Sequence, residues 1–381
     1  MPPAAASGDA RRTILIAPDS FKGSLTSLQV ARALGDGWRQ ARPADTILLC
    51  PLADGGEGTL EAIAAAGGWT WQTARATDPL GRQVDARWLR SDDGSHAVVE
   101  MAEPSGLSRL AVDERDAVRA TSVGTGELVR AALDAGAEHV VLGIGGSATT
   151  DGGAGLLAGL GGTTDRDGPV AELGGLDPRL AGVTMAVACD VANPLLGPTG
   201  AAAVYGPQKG ATPELVRDLD GRLARWADVL DRASGRQERD TPGAGAAGGV
   251  GYALLSIQDR FAAFGLRSGV ELLMEATDFG GKLAQADLVI TGEGRIDAST
   301  AFGKTALGVA RRAQAAGVPC IAVGGGVEPA GIDALGAVGA IAMPVVETPQ
   351  TVAAAMAAGI DPLVRCGERL ARLVGVIDYV P

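Results

Sequence analysis

The chain has 381 residues, and its 45 acidic against 33 basic residues leave a formal net charge of −12. With no Lys/Arg cluster, that balance excludes a duplex-binding protein, which needs a basic face, so an anion must be held locally by backbone N–H groups, a few cations or a metal. An apolar content of 46% excludes global disorder, and 57 glycines with only 3% aromatics predict a core of Ala, Val, Leu and Ile, as in parallel strands under small-residue helices.

Met1–Arg12 reads as a loose Ala-, Ser- and Pro-rich tail without the apolar stretch of a signal peptide. Thr13–Ala17 and Thr46–Leu49 are short apolar runs that predict buried strands, with helical patterns after them at Leu25–Gln40 and Leu60–Ala66. Trp69–Ala74, Val84–Arg90 and His96–Met101 alternate instead, and turn residues separate them, which predicts an antiparallel meander. A helix over Glu127–Ala135 and apolar runs at Val140–Gly143 and Thr184–Ala188 follow. Near the C-terminus, Leu288–Thr291, Cys320–Val323 and Ala340–Met343 return to buried-strand character, interleaved with helical patterns at Thr305–Ala316 and Thr351–Ala358.

Strand–helix alternation at both ends around a different middle predicts an α/β fold of two domains. One is a doubly wound parallel-sheet domain made from residues 1–76 and 285–381. The other is an inserted mixed-sheet α/β domain, residues 77–284, and the ligand is expected in a cleft between them. Cys50, Cys189, Cys320 and Cys366 are far apart and form no C-x-x-C, which fits a reducing, cytoplasmic compartment rather than a disulfide or zinc framework. The longest uncharged run, Thr241–Gln258, is too rich in Gly and polar residues to span a membrane.

Candidate site residues cluster where strands end, the edge at which open parallel sheets bind ligands. After the first strand come Asp19, Ser20 and Lys22, read as substrate-binding, with Ser24 or Thr26 able to cap the next helix. Asp54 and Glu57 flank a Gly pair after the second strand and offer hard oxygens to magnesium. The run Gly143–Gly155 passes from strand to helix. Its Gly145, Gly146, Ser147, Thr149, Gly152 and Gly153 would hold ATP phosphates, with Asp151 as a further metal ligand. Asp190 closes a strand and is the first choice as base, with Asn193 nearby for substrate and Lys209 to balance phosphate charge. In Ile290–Asp297, Arg295 would pair with a carboxylate or phosphate and Asp297 is the second choice as base.

Three features are set aside. Gly303-Lys304-Thr305 ends like a Walker loop but has Ala298 where the first Gly is required. Gly243–Gly248 matches G-x-G-x-x-G, yet a polar segment rather than a strand precedes it. His96 and His139 lie in separate strand-like runs and read as structural.

In order along the chain, APDSFKGSL, PLADGGEGT, VEMAEPSGL, ATSVGTGEL, GIGGSATTDGGAG, CDVANPLLG, YGPQKGAT, GAAGGVG and ITGEGRIDAST with FGKT resemble the bacterial glycerate kinase family, from about Thr13 to the C-terminal helix. The resemblance implies a two-domain α/β enzyme that uses ATP to convert D-glycerate to phosphoglycerate, with the 2-phosphate favoured. Thr150, Ala298-Ser299 and Gly324–Gly326 depart from the family's usual Asn, Ser-Gln and Ala-Gly-Ser. Two alternatives make different predictions: a kinase of another small hydroxy acid, and a non-catalytic nucleotide sensor that binds ATP without turnover.

Overall fold

The computed structural model describes residues 11–53, 56, 58–165, 170–302 and 305–377. In chain order these form β1 (Thr13–Pro18), α1 (Ser27–Ala41), β2 (Thr46–Leu49), α2 (Thr59–Ala66), β3 (Trp69–Thr77), β4 (Gln83–Ser91), β5 (His96–Glu100), α3 (Ala102–Ser105) and α4 (Val123–Asp134). Next come β6 (His139–Gly143), α5 (Ala154–Gly159), β7 (Thr163–Asp165), β8 (Val170–Glu172), β9 (Thr184–Ala188), α6 (Ala201–Tyr205), α7 (Pro213–Ser234), α8 (Val250–Ser256) and β10 (Ala263–Arg267). The rest are α9 (Gly269–Ala276), α10 (Phe279–Leu283), β11 (Leu288–Ile296), α11 (Thr305–Ala315), β12 (Cys320–Val327), α12 (Pro329–Gly336), β13 (Ile341–Pro344), α13 (Val352–Ala357) and α14 (Asp361–Ile377).

The chain divides into two compact units. The terminal unit comprises residues 1–54, 61–67 and 273–381, and the inserted unit residues 55–60 and 68–272. The divisions fall at 68 and 273 rather than at 77 and 285. The reason at the first is that β3 pairs with β4 along its whole length, from Trp69–Ser91 to Thr77–Gln83.

In the terminal unit the five apolar runs form one sheet in the order β13-β12-β11-β1-β2, every pair parallel. β1 and β11 lie inside this sheet, and Ile14, Leu15, Ile16, Val289 and Ile290 are fully buried. Helix α1 starts where Thr26 forms a capping box: its Oγ1 accepts from Gln29 N (3.2 Å), and the Gln29 side chain accepts from Thr26 N (2.9 Å). At its other end Arg42, Trp38 Nε1 and Arg12 N all donate to the buried Asp45 carboxylate. Burial alone would raise that carboxyl's pKa, but these bonds outweigh it and hold it below the ordinary value.

The inserted unit has a mixed sheet, β10-β9-β6-β5-β4-β3, parallel from β10 to β5 and antiparallel across β4 and β3, and a two-stranded β7–β8 ribbon. Its core gathers Trp88, Leu142, Leu156, Val187, Leu223, Trp226 and Tyr252. All seven residues of α8 are buried, so the uncharged run around Thr241–Gln258 is interior helix and loop. Among the described residues no helix is long and apolar enough to cross a membrane.

Candidate active site

Each unit places sequence-predicted residues at the carboxyl ends of its parallel strands, with different outcomes. In the terminal unit, β1 runs into a tight loop in which Phe21 and Leu25 exchange backbone bonds of 2.9 and 3.0 Å. The loop puts Lys22 at its exposed tip, and Gly23 takes the left-handed φ of +78° that the reversal requires. Asp19 is buried: its Oδ1 accepts from Ser20 N, and its Oδ2 accepts from the hydroxyl of Thr305, at the start of α11, at 2.7 Å.

On the neighbouring β11, Glu293 is also buried, and its Oε1 accepts from Thr300 Oγ1 at 2.8 Å. Arg295 stands exposed, bonded to Glu328 through Nε at 3.1 Å and 3.4 Å from Asp297. Its pairing with Glu328 strengthens its hold on the proton. Asp297 accepts from Ser299 N and Oγ at its Oδ1, which turns the chain into the following helical turn.

Asp19, Ser20, Lys22, Glu293 and Arg295 line one pocket of about 600 Å³ within the terminal unit. The same pocket is also lined by apolar side chains after β13 and on α13, among them Val346, Val352 and Met356. Sequence reasoning gave Glu293 no role and missed the α13 wall. The available signal was the strand-end rule itself, since residues 345–356 follow β13 as Asp19 follows β1.

The inserted unit departs from expectation. The glycine run does leave β6 and enter α5, but from Ser147 to Leu157 it is buried, with only Gly146 exposed and Gly145 half-buried. Its glycines serve close packing: a Cβ on Gly152 would lie 2.4 Å from the Trp226 ring, and one on Gly153 2.4 Å from Ala253 Cβ. Asp151 is a strut. Its two oxygens accept from Ser122 N and Oγ and from Gly153 N and Gly155 N, at 2.8 to 3.2 Å, which occupies the positions a metal would need.

Lys209 is buried rather than exposed, with Nζ donating to Ser147 Oγ (2.9 Å) and Thr149 O (2.6 Å). Burial lowers its pKa to about 7, against an opposing pull from Asp151. The hydroxyls of Thr149 and Thr150 beside it are buried without a hydrogen-bond partner. Asn193 is tied to Thr199 O and Tyr205 Oη. Asp190 is exposed at the end of β9 and accepts from Gly269 N, at the N-terminus of α9, at 3.1 Å. Asp54 and Glu57 lie outside the described residues. Among the described residues no three His, Cys, Asp or Glu side chains converge as a metal cluster. Asp19 and Glu293 line one pocket, and one or two carboxylates with water and phosphate oxygens are what magnesium takes; an ion there would share their oxygens with Ser20, Thr305 and Thr300.

Carboxylates and cations at the ends of parallel strands are where α/β proteins hold small ligands. Comparison with known proteins narrows this. Residues 14–375 match the model of the glycerate kinase family. Glycerate kinase of Bacillus subtilis (strain 168) is 44% identical over 82% of this chain and 85% of that protein. Glycerate 2-kinase of Escherichia coli (strain K12) is 42% identical over 82% and 84%. A crystal structure from Salmonella typhimurium LT2, described as a candidate glycerate kinase 2, superposes with a TM-score of 0.83 at 41% identity, covering 97% of this chain and all of that one. The chain belongs to the glycerate kinase family.

Proposed function

We propose that the chain transfers the γ-phosphoryl group of ATP to a hydroxyl of D-glycerate, giving 2-phosphoglycerate and ADP. The observation that carries this reading is the family match over residues 14–375. The 2-position is supported by the name of the Escherichia coli relative. In-line transfer needs charge neutralisation and positioning more than covalent chemistry from the protein. Lys22 and Arg295 supply cations for carboxylate or phosphate oxygens. A magnesium ion held by Asp19 and Glu293 would neutralise charge on the phosphates. The proton acceptor is assigned to Asp190 because it closes a parallel strand, with Asp297 as the alternative.

The test is ADP release by purified protein with Mg-ATP, with and without D-glycerate, followed by NMR of the product. Glycerate-dependent release is expected, with phosphorus coupled to the C2 proton. ATP binding without such release would replace this reading with another hydroxy acid or with a nucleotide sensor. In the same assay Asp190→Asn is expected to lower kcat by about a hundredfold or more with little change in KM. Near-normal kcat would move the assignment to Asp297.

A further inference from the structure

We infer that the terminal-unit pocket is the nucleotide site, its apolar lining holding a purine base and ribose and its charged residues the phosphates. The inference rests on the ATP-dependent reading above and deepens it by naming where the nucleotide sits.

Size and composition carry the argument. At about 600 Å³ the pocket falls among those that enclose drug-sized ligands, roughly 300–1,000 Å³. A three-carbon hydroxy acid would fill a small part of it, and such an acid has no apolar surface to offer. The same pocket is lined by the apolar Val345, Val346, Val352, Met356 and Leu363. A flat aromatic base has faces that suit such side chains, and a polyphosphate tail suits Lys22, Asp19 and Glu293, the carboxylates reaching phosphate through a divalent cation.

Met356 of α13 meets the loop after β1, where a Cβ on Gly23 would lie 3.1 Å from its Cε, but the helix adds nothing to the core. None of the residues of α13 is buried, Val352 is 77% exposed and Met356 41% exposed, although both line the pocket. A short helix that contributes nothing to the core yet turns apolar side chains to a cavity is accounted for by a ligand that covers them. The glycine run of the inserted unit is less open from Ser147 onwards. Its buried glycines fill space against Trp226 and Ala253, and Asp151 and Lys209 are bonded inside the unit.

The decisive variant is Ala355→Trp. Ala355 lines the pocket from α13, no residue of which is buried, so an indole there fills the pocket without entering the core. ADP affinity is measured by calorimetry without glycerate, KM for ATP and for glycerate by ADP release, and folding by the melting temperature. The expected result is ADP binding and KM for ATP weakened about tenfold or more, with KM for glycerate within about threefold and the melting temperature unchanged. Met356→Ala, which removes apolar surface from the same pocket without adding bulk, serves as the second variant and should weaken ADP binding in the same direction. Unchanged ADP affinity in Ala355→Trp overturns the inference, as does a rise confined to KM for glycerate or a parent protein that binds no ADP. Because ADP binding is read without glycerate, a pocket-dependent loss of ADP affinity in a protein with no turnover on glycerate sustains the inference while the glycerate reading falls.

Discussion

Lys209 holds an ammonium group inside the inserted unit, fully buried, with a pKa near 7 because burial disfavours its charge. Its two bonds, to Ser147 Oγ and Thr149 O, pin the glycine run from within. A lysine whose folded pKa is lowered binds its proton less tightly when folded than when unfolded, where it titrates near 10.4. The resulting cost to stability is fully present below pH 7 and is relieved as pH rises from 7 towards that unfolded value. For one proton the slope is at most about 1.4 kcal/mol per pH unit. Lys209→Met removes the titration along with both bonds, so the two proteins differ by a constant plus this slope. Urea unfolding at pH 6, 7.5 and 9 is expected to show the parent gaining on Lys209→Met above pH 7. A pH-independent difference would mean that the lysine does not change its proton on folding. The spacing of Lys209 in YGPQKGAT marks it as a conspicuous cation but says nothing of burial, because the groups that enclose it come from loops some 60 residues earlier in the chain.

At the scale of elements, the contact between α1 and α14 shows what glycine does in this fold. A Cβ on Gly37 would sit 1.8 Å from Val364 O, and one on Gly367 would sit 2.2 Å from Leu34 O. The helices pass backbone against backbone, so the side chains on either side, Leu34, Trp38, Leu363 and Leu370 among them, are buried in the same core. Gly37→Ala gains about 1 kcal/mol of intrinsic helix propensity yet must force the helices apart, and overpacking costs roughly 1–3 kcal/mol or more. Net destabilisation is therefore expected, read as a lower urea midpoint. A raised midpoint would show that the helices do not pack this closely. The periodic apolar pattern of α1 was legible in the sequence, and its start was narrowed to Ser24 or Thr26; the bonds with Gln29 single out Thr26. The need for glycine within the helix was not legible, since that depends on a helix more than 300 residues away.

At the scale of the whole molecule, the five apolar runs at the chain ends and the alternating runs between them were enough to anticipate one parallel sheet and one mixed sheet. Strand character is local: it lies in short stretches of Ile, Val, Leu and Ala bounded by turn residues. β10 went unread because Ala263–Arg267 carries a Gly and an Arg and has little apolar periodicity; it is recruited by its partner β9. For the site, the same local logic located the strand ends, and with them Asp19, Ser20, Lys22 and Arg295, which line one pocket. The glycine run is buried from Ser147 to Leu157, which its sequence does not reveal, because a loop that approaches its own core closely and a loop that approaches phosphate closely both select glycine. What the amino-acid sequence determined by itself was the strands of the terminal sheet, the fold class and the family, all of which reside in patterns a few residues long or in the order of motifs. Which carboxylates share a pocket, which lysine is buried and which glycines are forced was decided only by tertiary structure, because each depends on the distance between side chains that the chain order separates.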